Sequence, residues 1–410
     1  MGPIYYIGIL CYGLLIRVAS LFNVKAKDWV LGRENWRQSL KDLNLQEGPR
    51  IWIHAASLGE MEQGLPILMA LKNQSPNHRF VLSFFSPSGY QNFKERELAD
   101  AIVYLPLDSP RNARDFIELL SPDLAIFIKY EIWPNLLQEL KSQGVKTLLA
   151  PAVFRSNQIY FKVYGGFFRK ALKNFDTILV QDQQSLNLIQ EIGHNANVCG
   201  DSRFDRAMEI KNSPYQVEGL KDWISEDLCL VVGSSWTKEE NLINEILAFQ
   251  KNLKVILAPH QIEKSNIQRI VDLLNSHGVS IFSDKSWQSN NKVLIIDNIG
   301  QLKKLYRFAD LAFIGGGFGA GVHSTVEAAV YEIPLSFGPN HLKFVETKEM
   351  IAEGLAYEIR ESQDLSQFIQ RFQNDSDRKA FSESMAEYLS MKTGATKKIA
   401  EAALKLLDND

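Results

Sequence analysis

From residue 50 onward, short continuous apolar runs alternate with stretches whose apolar residues recur every three or four positions. The runs Arg50–Ala55, Phe80–Phe85, Ala101–Leu105, Leu124–Ile128, Lys146–Ala150 and Thr177–Val180 predict buried strands. Stretches such as Met61–Lys72 and Asn135–Gln143 predict the helices between them. Strands apolar on both faces and separated by helices belong to a parallel sheet covered on both sides. Over Phe204–Asp227 the pattern pauses in a polar, mixed segment with Pro214 and Gly219, which reads as a linker. A second series follows at Leu228–Gly233, Lys254–Ala258, Val279–Phe282, Val293–Ile296, Leu311–Gly315 and Pro334–Phe337. The expected fold class is α/β, with two doubly wound, Rossmann-like domains facing a cleft and ligands bound in the loops that follow the strands. The expected division is an N-terminal segment over 1–34, a first domain over 35–205, a second over 206–394 and a C-terminal helix over 395–410. That last helix could pack on either domain.

The N-terminus differs in kind. Ile4–Phe22 is apolar except for Arg17, and its uncharged part, Ile4–Ile16, is shorter than the roughly 20 residues of a relaxed membrane span. No basic residue precedes it and no small-residue cleavage site follows, so a signal peptide does not fit. Tyr5, Tyr6 and Tyr12 lie within it, and Arg17, Lys25, Lys27 and Arg33 follow. Aromatic residues with trailing cations suit a helix at the lipid headgroup boundary, or a short anchor whose basic end stays cytoplasmic. An ordinary amphipathic helix packed on the protein is the plainer alternative.

Composition narrows the class of protein. In 410 residues the hydrophobic share is 45% and the charged share 23%, with 25 Gly and 14 Pro, which excludes disordered, collagenous and coiled-coil chains. The net charge of −3 gives no global basic excess, so nucleic acid is not an expected partner. Cys11, Cys199 and Cys229 are far apart, which argues against a disulfide framework or a cysteine zinc site and fits a reducing compartment. The histidines are scattered without an H-E-x-x-H, and no metal site is expected.

The chemistry should therefore lie after the strands. His54-Ala-Ala-Ser57-Leu-Gly59-Glu60 follows the first. Ser57 with Glu60 three residues on is a capping-box pattern, while a carboxylate at a strand-to-helix turn can also take a proton from an incoming hydroxyl. Ser86-Pro-Ser88-Gly89 offers backbone N–H groups to an anion, though capping explains it equally well. Lys129-Tyr-Glu131-Ile-Trp133-Pro134-Asn135 follows the fourth strand, with Pro134 suited to a first helical turn and Trp133 equally suited to core. The strongest signal is Gly315-Gly-Gly-Phe-Gly319-Ala-Gly321, expected to run into a helix from Val322 in which His323 and Glu327 share a face. Glycines let a backbone approach a phosphate, and a helix N-terminus stabilises its charge. Gly233-Ser234-Ser235-Trp236, Pro259-His260 and Asp297-Asn298 should converge on the same pocket. The G-x-G-x-x-A spacing of 315–320 is a weak dinucleotide match, because the next strand ends Ser336-Phe337-Gly338 without an acid for a ribose.

In combination and order, these motifs resemble the Kdo (3-deoxy-D-manno-octulosonic acid) transferases. His54–Glu60 is similar to the family's H-A-x-S-x-G-E turn, Tyr104–Asp108 to its Y-x-P-x-D segment, and Glu131–Asn135 to its E-L-W-P-N. Gly200–Asp205 is similar to G-N-x-K-F-D, and Gly315–Glu327 with Phe337-Gly338-Pro339 follows the family's order of Gly-Gly, His, Glu and F-G-P. The resemblance implies a glycosyltransferase of the B fold at the cytoplasmic face of the inner membrane. It would move Kdo from CMP-Kdo to a lipid A precursor (lipid IVA) with inversion, needing no metal or cofactor. By position, Glu60 would be the general base, with Ser57, Gly59 and Glu131 on the acceptor side. Ser234, Ser235, Pro259, His260, Asn298, Gly315, Gly316, His323, Ser324 and Glu327 would hold CMP. His260 stands where the family usually has arginine, Ser324 where it has asparagine, Lys129-Tyr130 opens the E-L-W-P turn, and Pro151–Arg155 replaces N-A-R-L-S. The competing readings are a B-fold transferase using a UDP-sugar and a lipid acceptor, and a membrane-attached nucleotide-binding scaffold without activity.

Overall fold

The computed structural model describes residues 2–43, 47–285 and 287–408. The chain divides into two compact units, Met1–Arg206 with Lys392–Asp410, and Ala207–Met391. In the first, strands β1 (Arg50–Ala55), β2 (Arg79–Phe84), β3 (Ala101–Tyr104), β4 (Leu124–Phe127), β5 (Lys146–Ala152), β6 (Thr177–Val180) and β7 (Asn197–Val198) form one sheet in the order β3-β2-β1-β4-β5-β6-β7. Neighbouring strands are parallel, with Ile51 opposite Phe80 and Leu124. Side chains alternate across a strand, so Trp52, Val81, Ala125 and Leu149 enter one core while Ile51, Ile53, Leu82, Ile126 and Leu148 enter the other.

Helices α1 (Gly2–Ala19), α2 (Val24–Leu31), α3 (Trp36–Asp42), α4 (Leu58–Gln74), α5 (Pro87–Asn92), α6 (Pro110–Leu120) and α7 (Pro134–Ser142) belong to this unit. The C-terminal helix Ala395–Asp408 joins them, burying Ile399, Ala400 and Ala403 in the core that holds Ile51 and Ile53. By length and composition α1 could cross a membrane. It rests on the unit through one stripe, Tyr5, Ile9, Gly13 and Ile16, spaced at three and four residues. The Tyr5 hydroxyl donates to Asp108 Oδ2 at 2.8 Å, and the Tyr12 ring meets Trp29 and Phe85. Ile4, Ile7, Leu10, Leu14, Leu15 and Val18 remain exposed.

The second unit repeats the plan with β8 (Leu228–Ser235), β9 (Leu253–Pro259), β10 (Val279–Ile281), β11 (Val293–Ile295), β12 (Leu311–Ile314), β13 (Leu335–Phe337) and β14 (Tyr357–Glu358), ordered β10-β11-β9-β8-β12-β13-β14. Two expectations fail. The segment read as a linker is largely helical, at Ser202–Asn212 and Leu220–Ile224. Phe204, Ala207 and Ile210 are buried at a spacing of three, a helical stripe obscured by the charged residues around it. No helix begins at Val322 either: the next one spans Val326–Ala329. The backbone before it is tied to other loops instead, as Val322 N donates to Asn340 O and His323 N to Gly315 O. His323 and Glu327 therefore do not share a helical face.

Candidate functional sites at the switch point of each sheet

In an open parallel sheet, the loops on either side of the strand where the winding reverses leave a crevice at the carboxyl ends. In the first unit that strand is β1, flanked by β2 and β4, and the loops after β1 and β4 carry Glu60 and Glu131. Glu60 lies in the first turn of α4, and its Oε2 accepts from Ala56 N at 2.6 Å. Ser57 occupies the cap position without a side-chain cap bond, so the capping box is only half built and its working half is the carboxylate. Both Glu60 and Glu131 are buried, at 9% exposure each.

Glu131 is fixed by two donors on one oxygen. Trp133 Nε1 donates to its Oε2 at 2.9 Å, and His54 Nε2 lies 3.3 Å from the same atom. On the far side, Trp52 Nε1 donates to Ser83 Oγ at 2.8 Å, and Ser83 Oγ lies 2.8 Å from His54 Nδ1. An indole nitrogen can only donate. Ser83 Oγ therefore accepts from Trp52, while His54 Nδ1 faces both that hydroxyl and the Ser83 carbonyl oxygen at 3.2 Å, and its Nε2 faces the carboxylate. Burial, then the charge of Glu131, pushes the Glu60 carboxyl up to about 7, against the N–H groups of Ala56 and Ser57 and the ammonium of Lys129. Lys129 is itself pulled below its usual range, by burial first and then by Arg203, with Glu60 and Asp201 opposing. It holds φ = 64°, an unusual conformation for a residue with a side chain. A carboxylate half-ionised near neutrality suits a general base.

The neighbouring motifs are scaffolding. Asp108 is fully buried and accepts from Asn135 N at 3.0 Å and Leu136 N at 2.9 Å, so it caps α7 while holding Tyr5. In the Ser86–Gly89 turn, Gly89 N donates to Ser86 Oγ at 3.2 Å, a helix cap rather than an open anion site. Trp133 is partly buried with its ring 4.9 Å from that of Phe85.

In the second unit the winding reverses at β8, between β9 and β12. The loops after these three strands bring Trp236, His260 and His323 into one stack, with ring centroids 4.6 Å apart at each step. Trp236 Nε1 donates to His323 Nε2 at 3.2 Å, which leaves the imidazole proton on Nδ1. Burial and then His260 pull the His323 pKa down. Ser234, at φ = 53°, sits in the same turn. Glu239 Oε1 accepts from Gly316 N at 2.8 Å and its Oε2 from Trp236 N at 3.1 Å, tying the glycine loop to the turn after β8.

The expected donor residues divide into two groups. Ser234, Ser235, Pro259, His260, Gly315, Gly316 and His323 cluster at the ends of β8, β9 and β12. Ser235 Oγ, however, is committed to Glu240 at 3.1 Å, and Gly315 N donates to Gly233 O at 2.7 Å. The glycines are required by close loop packing, since a Cβ on Gly315 would lie 2.2 Å from Ser234 O and one on Gly316 2.6 Å from Gly321 O. Ser324 is exposed, and Glu327 is near enough to Tyr306 to help keep that buried phenol protonated. Asn298 lies in the loop after β11. His54 stood in an expected turn without a role of its own, and neither Ser83 nor Glu239 was expected in a site. The one available signal for Glu239 was its position three residues after Trp236, at the start of a helix.

Two parallel Rossmann-like units with polar loops at their switch points define a glycosyltransferase-type B fold. Solved structures agree at the level of fold: a UDP-GlcNAc 2-epimerase from Neisseria meningitidis superposes with a TM-score of 0.59 at 14% identity, covering 88% of this chain and 100% of its own. A glycosyltransferase from Rickettsia africae gives 0.58 at 13%, covering 89% and 100%. In sequence, the family model for 3-deoxy-D-manno-octulosonic-acid transferase (Kdo transferase) matches residues 34–206. The 3-deoxy-D-manno-octulosonic acid transferase of Aquifex aeolicus is 30% identical over 324 residues, 77% of this chain and 83% of that one. That of Rickettsia felis is 29% identical over 332 residues, 77% and 69% of the two chains. The chain belongs to the Kdo transferase family, glycosyltransferases that add Kdo in lipopolysaccharide synthesis.

Proposed function

We propose that the protein transfers Kdo from CMP-Kdo to a lipid A precursor of the lipid IVA type, with inversion at the anomeric carbon and with Glu60 as general base. The observation that carries this reading is the Glu60 carboxyl, buried at the switch point of the first sheet and pushed up to about 7 by burial and by Glu131. Kdo is a keto sugar acid, so its anomeric carbon is fully substituted and reacts through a state with oxocarbenium character. As the acceptor oxygen forms its bond to that carbon, the bond to the CMP phosphate breaks and the hydroxyl proton passes to Glu60. Ser57, Gly59 and Glu131 serve the acceptor side in this reading. Ser234, His260, His323 and Ser324 offer donors to the CMP phosphate, Asn298 and Glu327 serve its nucleoside, and Ser235, Pro259, Gly315 and Gly316 shape the loops. The exposed apolar side of α1 and the cations that follow it support residence on the cytoplasmic face of the inner membrane, with α1 lying on the lipid surface.

The test is transfer from CMP-Kdo to purified lipid IVA by wild type and by Glu60→Gln. Positioned general bases contribute about 10²–10⁴-fold. A loss of that size, in a variant that still folds and binds CMP, is the expected result, with a wild-type rate that rises through about pH 7. Transfer surviving in Glu60→Gln removes Glu60 as base, and activity only with UDP-sugars removes the donor assignment.

A further inference from the structure

Beside α1 the first unit contains a cavity of about 560 Å³, lined by none of the residues assigned above to acceptor or donor. Its charged lining is Arg17, Arg33, Arg37 and Lys41 against a single carboxylate, Glu34. Arg37 is already neutralised by Asp115 at 2.6 Å. Arg33 is not. Its guanidinium donates to three carbonyls, Leu105 O at 2.8 Å, Trp29 O at 3.1 Å and Phe85 O at 2.6 Å, and lies 3.9 Å over the Trp29 ring. Among the described residues no carboxylate pairs with it. Carbonyls and ring faces orient a guanidinium but leave its full charge standing, and a cation shielded from water without a counter-charge is unfavourable. Burial accordingly pulls the Arg33 pKa down to about 9. Three of its five N–H groups are occupied by these carbonyls.

The remaining two cations point the same way. Arg17, on α1, and Lys41, on α3, are exposed and have no ion pair among the described residues. Next to them α1 and the turn after it present Leu14, Leu15, Val18, Leu21 and Phe22 to the outside. A cationic cavity opening beside an apolar strip fits a molecule with an anionic head and hydrocarbon tails. The volume lies within the usual range of about 300–1,000 Å³ for ligand pockets.

We propose that this cavity binds the phosphate headgroup of an anionic phospholipid, whose acyl chains run along the exposed side of α1. The proposal rests on the reading of α1 as a membrane-surface helix. It gives that helix a fixed rotational setting, since the headgroup site lies on one side of it.

The test uses the full-length protein in neutral detergent, titrated calorimetrically with dihexanoyl phosphatidylglycerol below its micelle-forming concentration. One saturable site is expected in wild type. The Arg17→Gln/Lys41→Gln double variant, which leaves the carbonyl-bound Arg33 in place, should weaken it at least tenfold. Lys25→Gln/Lys27→Gln, outside the cavity, should leave it unchanged, and dihexanoyl phosphatidylcholine should bind at least tenfold more weakly than phosphatidylglycerol. Unchanged affinity in the Arg17/Lys41 variant, or no saturable binding in wild type, overturns the proposal. Flotation with pure phosphatidylcholine vesicles reads the apolar side of α1 separately. A chain that floats but has no phosphatidylglycerol site sinks the pocket alone, whereas a chain that floats with no vesicle sinks the membrane reading and the pocket together.

Discussion

A carboxylate held half-protonated at neutral pH burdens the folded chain in a way that can be measured. The Glu60 carboxyl titrates near its ordinary 4.5 when unfolded and at about 7 when folded. Below pH 4.5 both states hold the proton and no difference arises. As pH rises from 4.5 to 7 the unfolded chain releases it first, so folding stability falls by on the order of 1–3 kcal/mol. Glu60→Gln keeps an acceptor for Ala56 N–H but has nothing to ionise. It should therefore unfold at a higher temperature than wild type at pH 8, and at nearly the same temperature at pH 4.5. Equal melting at both values would mean that Glu60 is not perturbed. With the expected shift in melting, replacing Glu60 slows the reaction yet stabilises the fold, the pattern of a residue kept for chemistry rather than for structure.

At the scale of elements, the segments Tyr104–Asp108 and Glu131–Asn135 act as one joint. Asp108 satisfies two N–H groups at the start of α7 and takes the hydroxyl hydrogen of Tyr5 from α1. A helix cap contributes about 0.5–2 kcal/mol, and a buried partner left unsatisfied about 1–3 more. Asp108→Ala should destabilise the first unit by about 2–4 kcal/mol and speed proteolysis between α1 and α2, because Tyr5 loses its partner. Asp108→Asn, which retains one acceptor oxygen, should fall between the two. Denaturant unfolding and limited proteolysis read both effects. Sequence showed that Pro134 opens a helix; it did not show that Asp108 caps it, because the pairing depends on β3 and β4 lying on opposite sides of β2 and β1 in the sheet order.

At the scale of the molecule, the first unit is discontinuous in sequence, closed by a helix that follows the whole of the second. Ile399, Ala400 and Ala403 are fully buried in the core of β1, β4 and α4. Burying one isoleucine side chain contributes about 1.5–3 kcal/mol, and removing the helix also uncovers Ile51 and Ile53. Asp205 strengthens the closure by accepting from Gly394 N and Thr396 N, both at 2.6 Å. A chain ending at Met391 should express as an aggregating protein, while Asp205→Ala should remain soluble and melt several degrees lower. Full solubility and activity of the truncated chain would contradict this account of the core.

The sequence by itself determined the order of strands and helices, the parallel sheets and the loops in which chemistry had to lie. Those follow from contacts between residues a few positions apart: unbroken apolar runs, helical periodicity, and Gly and Pro at the turns. Tertiary structure alone decided which loops became neighbours. It set Glu131 beside Glu60, placed Ser83 and His54 between Trp52 and Glu131, gave Gly316 N–H to Glu239, and kept His323 out of the helix that had been expected there. Those outcomes depend on distances across the sheet, and a charge or a hydrogen bond acts through distance in space rather than separation along the chain.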